Sequence, residues 1–275
     1  MTDTSPQAPK AIWAGDGPQP LMPYSPGVKA GGWLFISGQL ASDFTTGIAP
    51  EAEPPNPNLE SRLKWQSHYL LQNIRKVVDA AGMDMSKDAV RIWQWFTSPY
   101  PTNAEFAAGN TWPRISITDY LDARNDYIFE PRPASTGMGM KELPVRNALV
   151  EVDMILIEGG ESTGYPTPDD VPRPLAGYSP AIRRGDWVFL AGEIPVDWKG
   201  DYGATERRGA ESALAPEARI NPFVWYGSEI EQQTDYVLWK LSRIAEAAGT
   251  SLDRAVKADV YIGDPSDHAG MERVW

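Results

Sequence analysis

Residues 23–43 read PYSPGVKAGGWLFISGQLASD, and residues 177–197 read GYSPAIRRGDWVFLAGEIPVD. Tyr24 aligns with Tyr178, Trp33 with Trp187 and Gly38 with Gly192, always at a separation of 154 positions. An internal repeat of this kind governs how the remaining sequence is read. Further along, residues 61–81 place Leu63, Leu70, Leu71, Ile74, Val77, Val78 and Ala81 on one helical stripe, with Gly82 as a stop. Residues 229–248 repeat that stripe at a separation of 167, with Ile230, Val237, Leu238, Leu241, Ile244, Ala245 and Ala248, then Gly249. One such stripe reports only core packing, whereas a second in matched register reports a second copy of the unit.

A strand-like run follows each helix, Ala89–Phe96 (AVRIWQWF) and Ala255–Ile262 (AVKADVYI). The widening from 154 to 167 puts a longer loop in the second copy, about 195–228. Its Gly-, Glu- and Arg-rich part, 203–219, reads as an exposed excursion: a lid, a partner contact or a tolerated insertion. The first copy closes with Asn147–Ile157 (NALVEVDMILI), which suits a strand buried on one or both faces. Each unit thus reads strand–strand–helix–strand–helix–strand, an α+β sandwich with a mixed sheet and two helices on one face. The expected boundaries are 21–158 for the first unit, 159–174 for a polar Pro/Gly-rich linker and 175–275 for the second. The second copy stops before its final strands, so it is expected to be either a fragment or completed by another chain.

Composition narrows the chemistry. The 275 residues fit about two domains at roughly 150 residues each. Cysteine is absent, which excludes disulfides, thiolate catalysis and cysteine zinc sites. Only His68 and His268 are present, so no metal set is assigned and a serine hydrolase triad is disfavoured. The net charge of −12 argues against nucleic acid as the main partner. The N-terminus has no signal-peptide core, and no run reaches the roughly 18 apolar residues of a membrane span. A cytoplasmic protein with no membrane partner is expected.

The repeated pattern resembles the Rid family, the YjgF-type reactive-intermediate deaminases. The resemblance rests on Pro23-Tyr24-Ser25-Pro26, Phe35-Ile36-Ser37-Gly38-Gln39, Gln72-Asn73-Ile74, Ala80-Ala81-Gly82, Pro133-Ala134-Ser135, Leu143-Pro144 and Leu149-Val150-Glu151-Val152. The second copy matches from Tyr178 onward. The family implies a chorismate-mutase-like fold, homotrimers with sites between subunits, and water addition to an imine or enamine without metal or cofactor. For tandem units it implies a homo-oligomer, a trimer of chains forming two stacked rings. The family's substrate-carboxylate arginine falls here on Ser135, and Arg132, three residues earlier, changes strand face. The resemblance assigns water activation to Glu151, with Ser37 and Tyr24 lining the cleft. Ser135, Thr136, Arg132 and Asn125 are the candidate substrate contacts. Trp93, Trp95 and Trp112 are candidates for stacking on an aromatic ligand, and for core packing. The second copy carries Ala191 in place of Ser37, so the first copy is expected to hold most of the chemistry. The expected function is a cofactor-free hydrolase of a small imine, enamine or related C–N compound. The competing reading is an inactive small-molecule-binding or assembly protein.

Overall fold

The computed structural model describes residues 8–97, 117–127, 129–174, 176–197, 214–221, 223 and 227–275. The first unit contains β1 (Lys10–Ile12), β2 (Gly27–Ala30), β3 (Trp33–Leu40), α1 (Arg62–Ala80), α2 (Met85–Asp88), β4 (Ala89–Thr97), α3 (Thr118–Asn125), β5 (Ala134–Met140) and β6 (Val150–Ile157). Its six strands pair in the order β1-β2-β3-β6-β4-β5, antiparallel except for the parallel β4–β5 pair. The second unit contains β7 (Ser162–Tyr165), β8 (Ala181–Arg184), β9 (Trp187–Leu190), α4 (Glu229–Ala247) and α5 (His268–Val274). Its sheet runs β7-β8-β9. The chain is an α+β protein, and among the described residues no helix is long and apolar enough to cross a membrane.

Helix α1 begins where the Ser61 hydroxyl accepts the Lys64 backbone N–H, and ends where Gly82 takes φ +72°. The Lys29 ammonium donates to the Ala81 carbonyl at 2.9 Å, and the Arg183 guanidinium donates to the Ala248 carbonyl at 2.6 Å. The same cationic cap thus closes both long helices at repeat-equivalent positions. Leu70, Leu71 and Ile74 of α1 are fully buried against Val150, Val152, Met154 and Leu156 of β6. Each such side chain contributes about 1.5–3 kcal/mol of transfer free energy.

Strand β6 alternates cleanly, so Glu151, Asp153, Ile155 and Ile157 point to the other face of the sheet. There the second unit docks: Val90, Ala134, Ile155 and Ile157 pack with Tyr178, Ile182, Phe189 and Ala191. Trp33 meets Trp187 edge-on at 5.0 Å. Arg184, 3% exposed, reaches across to the Asp88 carboxylate at 3.3 Å and donates to the carbonyls of Lys87 and Gly159.

Two differences from the sequence reading follow from missing partners. The run Ala255–Ile262 forms no ladder. In the first unit β4 is held between β5 and β6, and the described second unit offers no equivalents. It lies extended and largely exposed, with Tyr261 edge-on to Trp95 at 5.8 Å. For the same reason Val237, Leu238 and Leu241 are only half-buried where Leu70, Leu71 and Ile74 are fully so. Residues 159–174, read as a linker, contain β7, which pairs with β8 as β1 pairs with β2. The repeat also extends further than read: Ala-Pro-Glu-Ala recurs at 49–52 and 215–218, each with a 3-10 turn after an isolated bridge. The extra loop length therefore falls between Val196 and Leu214. Residues 198–213 of that loop, and Trp112, lie outside the described residues.

Candidate functional site

Strand β3 pairs with β6 in two registers, and the shift lies between Ile36 and Gln39, so Ser37 and Gly38 form a bulge. The bulge brings backbone against the Glu151 carboxyl group, so close that a Cβ on Gly38 would sit 1.9 Å from Glu151 Oε1. A glycine is required there for that approach. Burial, and then the charge of Asp153, push the Glu151 carboxyl above its ordinary value. Tyr24 joins this group: burial raises its phenol, and the Glu151 charge raises it further. The Ser37 hydroxyl donates to the Ser25 carbonyl at 2.6 Å, which fixes the strand entry beside Tyr24. Tyr24, Ser37, Gly38 and Glu151 therefore gather at one bulge of the first unit.

The remaining sequence candidates do not join them. Ser135 and Thr136 alternate on β5 and face opposite ways. The Ser135 hydroxyl turns to the helix side, donating to Gln94 Oε1 at 3.1 Å and accepting from Arg124 Nη1 at 3.4 Å. Thr136 turns to the second unit, where a Cβ on Gly192 would lie 2.5 Å from its Oγ1. The two hydroxyls thus do not share one polar pocket. Arg132 projects over Gly177 of the second unit and, with Arg124, Asn125, Phe129, Glu130 and Pro133, lines a cavity of about 240 Å³. Arg124 Nη2 donates to the Gly177 carbonyl at 2.9 Å, tying this cavity to the seam between units.

That seam holds Arg91, Glu193 and Lys240, which the sequence did not single out, beside Trp93 and Tyr178, which it did. Arg91 on β4 is 9% exposed, donates from Nη2 to Thr136 Oγ1, and lies over the Trp93 ring at 4.4 Å. Burial lowers its guanidinium to about 10, against the opposing pull of Tyr261, Asp259, Asp153 and Tyr178. Tyr178, the counterpart of Tyr24, is pushed well up by burial and then by Glu193. Glu193 is raised by burial and held back by Lys240, its ion-pair partner at 2.5 Å. Only one signal in the sequence marked these positions. The repeat aligns Glu193 and Lys240 with the amides Gln39 and Asn73, so a charge pair stands where the first copy has two neutral groups. Among the described residues, no group of three or more histidine or carboxylate side chains could hold a metal ion.

Two α+β units, with polar groups gathered at a strand bulge and along the seam where the units meet, define the class: a two-unit protein of sheet-to-sheet docked domains. The family model described as Endoribonuclease L-PSP matches residues 15–158 and again 169–275, and the chain belongs to that family, the Rid/YjgF group. A RutC family protein of Pyrococcus horikoshii is 33% identical over 107 residues, covering 39% of this chain and 68% of the relative. A protein of Dermatophagoides farinae named 2-iminobutanoate/2-iminopropanoate deaminase is 28% identical over 140 residues, covering 51% and 89%. Among solved structures, RidA from an Antarctic Psychrobacter is similar at 24% identity and a TM-score of 0.39, covering 54% of this chain and 99% of that one. The YjgF gene product of E. coli is similar at 21% identity and a TM-score of 0.38, covering 55% and 99%.

Proposed function

We propose that the chain is a Rid-type hydrolase that adds water to a small imine or enamine and releases ammonia and a carbonyl compound. One observation carries this reading: a half-buried carboxylate, Glu151, with a raised pKa, set against a bulge glycine and beside a phenol. In an imine hydrolysis the carboxylate would take a proton from water as the water oxygen bonds to carbon, and would hand that proton to nitrogen as nitrogen receives the C=N electrons, giving the neutral carbinolamine. It would then take the carbinolamine hydroxyl proton as the carbonyl forms, and pass it to nitrogen as the C–N bond breaks and ammonia leaves. Tyr24, whose phenol is raised by burial and by the Glu151 charge, would donate a hydrogen bond to the substrate. Ser37 supports the strand entry, and Thr136, Arg132 and Asn125 remain candidate contacts toward the seam. A homo-oligomer of the chain, a trimer in the family's manner, would cover the sheet face beside the bulge.

The test is ammonia release from imines generated in solution, comparing wild type with Glu151→Gln. The variant should lose about 10²–10⁴-fold in rate, the ordinary contribution of a positioned acid–base group. Full activity in the variant would end the reading. A second reading, a binding protein without turnover, is favoured by the internal satisfaction of Ser135 and by Ala191, which has no hydroxyl. Saturable ligand binding with no ammonia release would support it. The ribonuclease activity in the family's description is not carried over, because a net charge of −12 opposes phosphate-tracking binding.

A further inference from the structure

Among the described residues, Arg91 is a buried cation without a direct ion pair. Its Nη1 has no hydrogen-bond partner, and among the described residues no carboxylate lies at ion-pair distance from it. The two acids whose charge it feels are committed elsewhere. Asp153 accepts from Trp95 Nε1 at 2.7 Å, and Asp259 pairs with Lys257 at 2.9 Å. Burying an unpaired charge costs several kcal/mol, so the resting arrangement is one that an anion would complete. The guanidinium is also held in place, fastened by Thr136 on one side and stacked on Trp93 on the other. A fixed planar fork of this kind suits a carboxylate better than a mobile ammonium would.

We propose that Arg91 is an anion-binding residue at the seam between the two units, and that it takes a small monocarboxylate beside Tyr178. Three observations choose the ligand class. One guanidinium nitrogen is free and Arg91 has no direct ion pair among the described residues, so the fork has room for one carboxylate, while a phosphate dianion would add a second negative charge near Asp153 and Asp259. The surroundings, Trp93, Trp95, Tyr178 and Tyr261, offer aromatic walls to a short apolar tail. The second unit supplies Tyr178 and Gly192, and the first supplies Arg91 and Thr136, so the site exists only where the units dock. The resemblance puts the carboxylate-binding arginine at position 135, which here faces the helices. The guanidinium on the cleft side comes instead from the neighbouring strand, β4. This inference concerns binding and does not depend on turnover.

The probe is sodium acetate, titrated against sodium chloride at constant ionic strength. Binding is followed by thermal unfolding and by tryptophan fluorescence, since Trp93 lies directly under the guanidinium. Wild type should show a saturable, acetate-specific rise in Tm and a change in emission. Arg91→Met should lose it, with acetate bound at least about 10-fold more weakly, the effect of removing a charge-assisted hydrogen bond. Without acetate, Arg91→Met should melt no lower than wild type, because the variant removes a buried charge that has no direct ion pair. If Arg91→Met does not fold, Thr136→Val decides the matter: it removes only the hydroxyl that orients the guanidinium and should weaken acetate by a few-fold. Identical shifts from acetate and chloride in wild type would overturn the proposal. So would an acetate response that survives in Arg91→Met. A change of molecular mass in Arg91→Met by light scattering would also overturn it, by showing that the counter-ion is a carboxylate of a second chain.

Discussion

Lys240→Met tests how the second unit is held together at its most buried charge. Lys240 is 2% exposed, and its ammonium meets the Glu193 carboxylate, 8% exposed, at 2.5 Å. The ammonium also donates to the carbonyls of Ile194 at 3.2 Å and Val196 at 3.4 Å. Methionine keeps much of the volume but leaves Glu193 buried beside Tyr178 without its partner. Removing one member of a buried pair costs about 3–5 kcal/mol, which corresponds to a fall in Tm of about 6–20 °C for a chain of this size. The deficit should depend on pH. Burial already holds the folded-state pKa of Glu193 above the unfolded value near 4.5, with Lys240 pulling it down. Without Lys240 the folded pKa rises further, so the folded variant keeps its proton to higher pH. Stability then falls as pH rises from 4.5 through that higher folded pKa. The gap to wild type should be widest at neutral pH and narrow toward about pH 5. Glu193→Gln combined with Lys240→Asn, which installs the neutral pairing of Gln39 and Asn73, should recover most of the loss. Thermal and urea unfolding of wild type and the two variants give the answer. A loss under about 1 kcal/mol for Lys240→Met would refute the argument, as would a double variant no better than the single one.

Three further outcomes follow from the geometry. Gly38→Ala should cost little stability, because the Glu151 carboxyl that it displaces is the end of a flexible side chain, yet ammonia release should drop about tenfold or more. A variant with undiminished kcat would separate Glu151 from the chemistry. Ser135→Arg should lower stability by about 3–5 kcal/mol in urea unfolding and gain no carboxylate binding, since position 135 is 6% exposed and adjoins the Arg124 guanidinium at 3.4 Å. Increased turnover of carboxylate-bearing imines in that variant would show that the side chain reaches the cleft. Light scattering should give a mass of several chains, because Val256, Val260 and Tyr261 lie exposed on an extended segment without a strand partner; a stable single-chain mass at micromolar concentration would contradict this.

What could be read in the sequence was set by periodicity. The helices at 62–80 and 229–247 follow from apolar stripes closed by Gly82 and Gly249, features that a local pattern carries completely. The extended run at 255–262 has strand composition too, but a strand is defined by its neighbours, and its first-unit counterpart draws on β5 and β6 from far along the chain. The candidate site was half legible for the same reason. Glu151 and Gly38 meet because two matched motifs pair across a bulge. Ser135 and Thr136 are adjacent in sequence yet part company, because a strand sends successive side chains to opposite faces. Arg91 escaped notice altogether. Its neighbours in sequence are apolar and aromatic, and only docking of the second unit turns an ordinary strand arginine into a buried, unpaired charge.

The two copies have ceased to be interchangeable, and the changes are coupled. In the first copy Ser37 bonds the Ser25 carbonyl, and Gln39 and Asn73 are neutral; in the second, Ala191 packs on Ile182 and Val90, and Glu193 and Lys240 are charged. Position 191 lies in the apolar cluster between the units, where a methyl packs with no polar group to satisfy. The alanine is accounted for by that packing, and need not report decay of a site. The bulge of the first unit, by contrast, keeps its serine, its tyrosine and its carboxylate. The second copy packs this strand end against its neighbour, and the first keeps Tyr24, Ser37 and Glu151 at the equivalent place. On the proposed reading, water activation falls to the Glu151 bulge and carboxylate recognition to the Arg91 seam. A chain that assembles with copies of itself could bring such complementary edges together.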